Sequence, residues 1–281
     1  MSNVTAPPSS AFSAYRLTAS DAAVFETFVV PRYLVHFGEL LLENLLESER
    51  AQVVHLGCRT GYPDRGLALK LAGAHIYGID SSPAALELAR AKAATMREMR
   101  SEYLQADEFP VPLPEASFTH ALAIHPHFDP EARAELLTEM KRLLAPRGQL
   151  LIAVPLRGSF AEVADLLREC ALKSDDSALA LAVDRALAKR PTVEALSAEL
   201  EEAGFEYVDV SLRPLSIGFP SGRAFAEDPI TRLMLVPEFR VNLGLADLAK
   251  PLEYVRDAVD KYWSEGGFEI SVNVGCVTAR R

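Results

Sequence analysis

The stretch from Val53 to Asp80, VVHLGCRTGYPDRGLALKLAGAHIYGID, constrains the fold more tightly than any other part of the chain. It opens on the apolar run Val53-Val54-His55-Leu56, the pattern of a parallel strand buried on both faces. The glycine-bearing turn Gly57-Cys58-Arg59-Thr60-Gly61 follows. Leu67, Leu69, Leu71 and Ala72 predict a helix ending near Gly73, and a second apolar run, His75-Ile76-Tyr77-Gly78-Ile79, closes on Asp80. Strand, glycine turn, helix, strand and terminal acid make a βαβ unit of the nucleotide-binding kind. Glycines let backbone approach a ligand, a helix N-terminus offers free N–H groups, and a carboxylate about twenty residues on can hold two ribose hydroxyls.

The alternation continues downstream. Ser82-Pro83 starts a helix that runs to about Arg100, and Tyr103-Leu104-Gln105 is a short third strand that delivers Asp107 into a loop. The alternate prolines Pro110, Pro112 and Pro114 exclude helix and central strand. A fourth strand, Phe118–Ile124, ends at His125-Pro126-His127; Pro130 opens the next helix, and Gln149–Val154 is a fifth buried strand. Five strands with helices between them call for a doubly wound α/β sheet, its ligand beyond the C-terminal strand ends. Gly57 to Gly61, Asp80, Asp107 and His125 to His127 all fall there.

Residues 1–20 are rich in Ala, Ser, Thr and Pro, without a basic start or an apolar core, and read as a flexible N-terminal tail rather than a signal peptide. Residues 21–50 carry a helical pattern interrupted at Pro31. Its apolar residues either pack a helix pair on the sheet or, through Phe25, Phe28 and Tyr33, roof a substrate pocket. Residues 51–281 read as one domain, with helical insertions around 157–190 and 218–262 and a last strand at 268–277.

A net charge of -10 repels phosphate backbones, so no nucleic-acid partner is expected; Arg90, Lys92, Arg97 and Arg100 read as a solvated helix face. Three scattered cysteines, Cys58, Cys170 and Cys276, point to a reducing compartment and against a disulfide framework or a cysteine zinc site. With no located ligand set, no metal is expected; with no run of eighteen apolar residues, neither is a membrane span. A cytoplasmic location follows.

These residues resemble class I S-adenosylmethionine-dependent methyltransferases, especially the type 11, small-molecule group. Val53 to Gly61 is similar to that family's first motif, Ile79-Asp80-Ser81-Ser82-Pro83 to its second, and Ala106-Asp107 to its third-strand acid. Met140 to Ile152 is similar to the helix and turn before strand five, and Leu200 to Phe205 to a helix–strand junction near the C-terminus. The resemblance implies a mostly parallel, seven-stranded Rossmann-like sheet with an antiparallel strand at its edge, and S-adenosylmethionine as cofactor. It implies a cofactor site of His55, Gly57, Arg59, Gly61, Asp80, Ser81 and Asp107: the glycines shape the turn at the methionine end, Asp80 takes the ribose hydroxyls and Asp107 the adenine amino group. His125 and His127 follow the fourth strand, where the family faces the transferring methyl, and are the candidate catalytic bases.

Three positions depart from the family pattern. Its first-motif acid is His55, its middle glycine is Arg59, and Thr119 stands where it often has Asp. Two functional readings stay open: an S-adenosylmethionine-dependent methyltransferase acting on a small molecule or carrier-bound acyl substrate, or a catalytically inactive methyltransferase-like protein serving as a binding or assembly partner. An NAD-dependent reductase fits worse, because Gly57-x-x-x-Gly61 is not G-x-G-x-x-G. A homodimer is left open, with 160–190 and 218–262 as places for a lid or an interface.

Overall fold

The computed structural model describes residue 12 and residues 16–96, 99–126, 129–244, 248–264 and 266–281. A helical run comes first: α1 (Ala19–Val24), capped by Thr18, then π-helical Phe25–Leu34, then α2 (Val35–Glu43). Pro31 does not interrupt it as the pattern suggested, because the wide π-helical turns accommodate a residue without an N–H.

The βαβ unit follows as β1 (Gln52–Leu56), α3 (Asp64–Lys70) and β2 (His75–Asp80). Next come α4 (Pro83–Ala94), capped by the Ser82 hydroxyl with Pro83 in its first turn, and β3 (Arg100–Gln105), longer than its sequence pattern. Then β4 (Phe118–Ile124), α5 (Pro130–Leu143) capped by Asp129, and β5 (Leu144–Pro155) complete the parallel part.

The remaining elements are α6 (Ala161–Lys173), α7 (Ser177–Lys189), α8 (Val193–Glu202), β6 (Glu206–Phe219), α9 (Gly222–Glu227), π-helical Thr231–Leu235, α10 (Val236–Leu243), α11 (Ala249–Tyr262) and β7 (Phe268–Arg280). The strands form one seven-stranded sheet in the order β3-β2-β1-β4-β5-β7-β6. The first five strands in that order pair in parallel. β7 runs antiparallel to both neighbours, inserted between β5 and the outermost β6, so the antiparallel strand forms an edge ribbon with β6.

The sheet reverses its winding between β1 and β4, and their C-terminal ends splay into the crevice where doubly wound sheets hold ligands. Apolar cores cover both faces: Val53, Leu122, Leu151 and Val274 face one, with Phe37, Phe160 and Val255, while Val54, Ala121, Leu150 and Val277 face the other, with Met140 and Leu200. No helix among the described residues is long and apolar enough to cross a membrane.

Candidate functional site

Beyond β1 the chain must double back tightly, and two glycines permit it: Gly57 (φ 71) and Gly61 (φ 76) are both left-handed. The N–H groups of Gly57 and Cys58 donate to the Ile79 carbonyl at 2.8 and 3.0 Å, which fastens the turn to the end of β2. There Asp80 is buried. Its Oδ2 accepts from the Arg59 N–H at 2.9 Å and its Oδ1 from the Ser82 N–H at 2.8 Å. Burial pushes the Asp80 carboxyl up, while those two N–H groups and the Arg59 charge pull it back.

His55 is buried behind the turn with its Nδ1 2.7 Å from Asp64 Oδ1, and the Tyr103 hydroxyl donates to Asp64 Oδ2 at 2.8 Å. The first-motif position thus lacks its acid but has a carboxylate one ring further back. The other ring nitrogen of His55, Nε2, is buried with no partner.

Arg59 is left-handed too (φ 46), a conformation that disfavours side chains by roughly 1–2 kcal/mol. Its side chain is buried. Nη1 donates to the Ile124 carbonyl and Nη2 to the His125 carbonyl, both at 2.8 Å, and the guanidinium lies 5.9 Å from the Phe25 ring centroid. The side chain is thus held by strand-end carbonyls, and it is the Arg59 backbone that meets Asp80. Phe25, His55, Gly57, Arg59, Thr60 and Ile124 line a narrow hollow with no room for a water molecule.

His125, left-handed at the end of β4, has Nε2 2.9 Å from the Tyr33 hydroxyl and 4.0 Å from Glu238 Oε2. Glu238 in turn accepts from Arg190 Nη2 at 2.5 Å, and Arg190 lies 4.7 Å over Phe160. Burial holds His125 well below the usual imidazole range, helped by the Arg59 and Arg190 charges, and pushes Tyr33 and Glu238 up. Of this cluster the sequence flagged Tyr33 and His125; Arg190 and Glu238 carried no local signal. His127 lies outside the described residues. Of the expected roof, Phe25 and Tyr33 cover the crevice, while Phe28 is exposed.

Beyond Asp80, Ser81 is buried and its hydroxyl has no partner, whereas Asp107 is half exposed and paired with Arg16 at 2.5 Å. Phe12 is buried edge-on against Phe109, 5.0 Å between centroids, and the Ser82 hydroxyl donates to the Leu17 carbonyl at 2.7 Å. The basic residues 90 and 92 do structural work: Arg90 caps the Tyr103 carbonyl, and Lys92 binds the Thr60 carbonyl and Glu26. Arg97 lies outside the described residues. Among the described residues no group of three or more His, Cys, Asp or Glu could hold a metal.

A parallel sheet with this strand order, a glycine turn after β1 and an acid closing β2 define a nucleoside-binding Rossmann-like domain. Residues 53–148 match the family described as a methyltransferase domain. The chain is 32% identical over 140 residues to malonyl-[acyl-carrier protein] O-methyltransferase of Halorhodospira halophila, covering 47% of each chain. It is 32% identical over 154 residues to demethylmenaquinone methyltransferase of Thermus thermophilus, covering 48% of this chain and 67% of that one. The match thus spans about half the length of the first of these relatives. Haemonchus contortus phosphoethanolamine N-methyltransferase 2, solved with S-adenosyl-L-methionine, has the same fold (TM-score 0.55, 13% identity, covering 94% of this chain and 57% of that one). The chain belongs to the class I S-adenosylmethionine-dependent methyltransferases, and S-adenosylmethionine is the cofactor of that family.

The crevice can be tested against that cofactor. Asp80 stands buried at the strand end beside two left-handed glycines. Around the same loop His55 Nε2, Thr60 Oγ1 and Ser81 Oγ are buried polar atoms without partners, a costly arrangement that a polar ligand relieves. The frame fits a nucleoside with a polar tail. Beside the glycine turn the crevice is lined by the Arg59 side chain.

Proposed function

We propose that the chain transfers a methyl group from S-adenosylmethionine to a small molecule or a carrier-bound acyl group. The observation that carries this reading is Asp80: buried at the end of β2, oriented by two backbone N–H groups and flanked by Gly57 and Gly61. In this reading Asp80 accepts the ribose hydroxyls, Ser81 and Asp107 serve the nucleoside side, and Gly57, Arg59, Gly61 and His55 border the methionine end. The cofactor supplies an electrophilic methyl on a sulfonium, so the protein's task is to orient an acceptor.

The chemistry of the roof favours an acceptor that is already a nucleophile. His125 titrates well below neutrality and Tyr33 well above it, so neither is matched to proton abstraction at pH 7. A carboxylate, such as a carrier-bound acyl group ending in an acid, needs no base. His125 then acts as a neutral hydrogen-bonding group beside Tyr33.

Calorimetric titration with S-adenosylmethionine and S-adenosylhomocysteine tests the reading. Binding weakened about 10- to 100-fold by Asp80→Asn is expected, from the roughly 1.5–3 kcal/mol of a hydrogen bond to a charged group. No heat and no thermal shift at millimolar ligand sinks it. That result would favour the second reading, a non-catalytic methyltransferase-like binding partner, for which the Arg59 guanidinium in the hollow is the specific support.

A further inference from the structure

The hollow beside the glycine turn has a consistent chemical character. At its edge the Ile124 and His125 carbonyl oxygens accept from Arg59, and the Phe25 ring lies under the guanidinium at 5.9 Å. His55, whose Nδ1 lies 2.7 Å from Asp64 Oδ1, has its Nε2 buried and unpartnered, and the Thr60 hydroxyl oxygen is buried and unpartnered at the same wall. Asp80 adds a negative charge behind the turn. Carbonyl oxygens, a hydroxyl oxygen and a π face all attract positive charge. The group that sits among them is a cation, the Arg59 guanidinium.

We propose that this hollow is a cation subsite and that Arg59 is its internal occupant, a specificity residue that competes with the positively charged tail of a nucleoside ligand. The proposal rests on the methyltransferase reading, which gives the same end of the crevice to the cofactor's sulfonium and ammonium. Two features make the occupant displaceable. Among the described residues the Arg59 guanidinium is paired to no carboxylate, its hydrogen bonds running to neutral carbonyls. Its backbone is held in the left-handed region that glycine adopts freely. The site therefore discriminates by tail charge: each positive charge on a ligand's tail meets a resident positive charge and is penalised, while a neutral tail is not.

Three ligands with the same adenosine read this out: S-adenosylmethionine carries a sulfonium and an ammonium, S-adenosylhomocysteine an ammonium alone, and 5′-methylthioadenosine neither. Their dissociation constants are measured calorimetrically on the full chain, wild type against Arg59→Gly and Arg59→Met, the latter keeping bulk without charge. Thermal unfolding verifies that each variant is folded. The expected result is a graded gain in both variants: tenfold or more for S-adenosylmethionine, less for S-adenosylhomocysteine, and under twofold for 5′-methylthioadenosine. Equal gains for the first two ligands overturn the proposal in favour of simple bulk, and weaker binding of both overturns it in favour of Arg59 gripping the carboxylate tail. If the wild type binds and the variants bind no better, Arg59 is no competitor and the methyltransferase reading stands. If no ligand binds to any form, that reading itself fails. Should Arg59→Gly not fold, the Arg59→Met series decides alone.

Discussion

Arg190 and Arg59 are both buried near the C-terminal end of β4, in opposite situations. Arg190 meets a carboxylate, Glu238, at 2.5 Å and stacks over Phe160. Arg59 meets two carbonyl oxygens and the more distant Phe25 ring. Removing one member of a buried ion pair strands the other charge, whereas removing a cation held by neutral acceptors leaves no bare charge behind. Arg190 is thus built in as a strut joining the end of α7 to α10, and Arg59 occupies a place that something else can take.

Four measurements can break that contrast, in order of expected size. Arg190→Met should cost about 3–5 kcal/mol in denaturant unfolding, because Glu238 is left buried and unpaired; a cost under about 1 kcal/mol would make the two arginines equivalent. Arg59→Gly should cost less, about 1–2 kcal/mol, since the loss of two hydrogen bonds is partly offset by relief of the left-handed backbone; a larger loss than Arg190→Met would reverse their roles.

The third is a pH dependence. Burial raises the Glu238 carboxyl, so between its unfolded value and that raised value the folded state keeps a proton that the unfolded chain has lost. Its contribution to stability therefore falls as pH rises through that window and recovers as pH drops. Glu238→Gln should flatten this slope; an unchanged profile means the carboxyl titrates normally. The smallest effect belongs to the half-exposed pair Arg16–Asp107: Asp107→Asn should change stability by under about 1 kcal/mol, vanishing in high salt.

The parallel sheet was legible because strand, helix and turn residues alternate at local spacings that backbone geometry imposes, from Val53 to Val154. The frame of the site was legible for the same reason: Gly57, Gly61 and Asp80 belong to one βαβ unit. What Arg59 does was not, since its partners are backbone carbonyls, which every residue possesses and no sequence marks. The nearby carboxylate of Asp64 meets His55 instead, nine residues back and across the turn. The Tyr33, His125, Arg190 and Glu238 cluster draws one residue from each of four distant segments. Pro31 misled for a different reason, because a π-helical turn tolerates a residue that an α-helix interior does not.

The placement of β7 between β5 and β6 bears on the order in which the molecule can assemble during synthesis. Among the described residues β6 pairs with β7 alone, and the chain between Phe219 and Phe268 must leave the ribosome before that partner exists. Until then, fourteen residues of strand, among them Val208, Val210 and Leu212, wait beside an open β5. Such non-local pairing is slow, and an unpaired edge is a template for the wrong partner. Helices α9 to α11, emerging in that interval, are the part of the chain that can shield the gap while the nascent protein waits for its final strand.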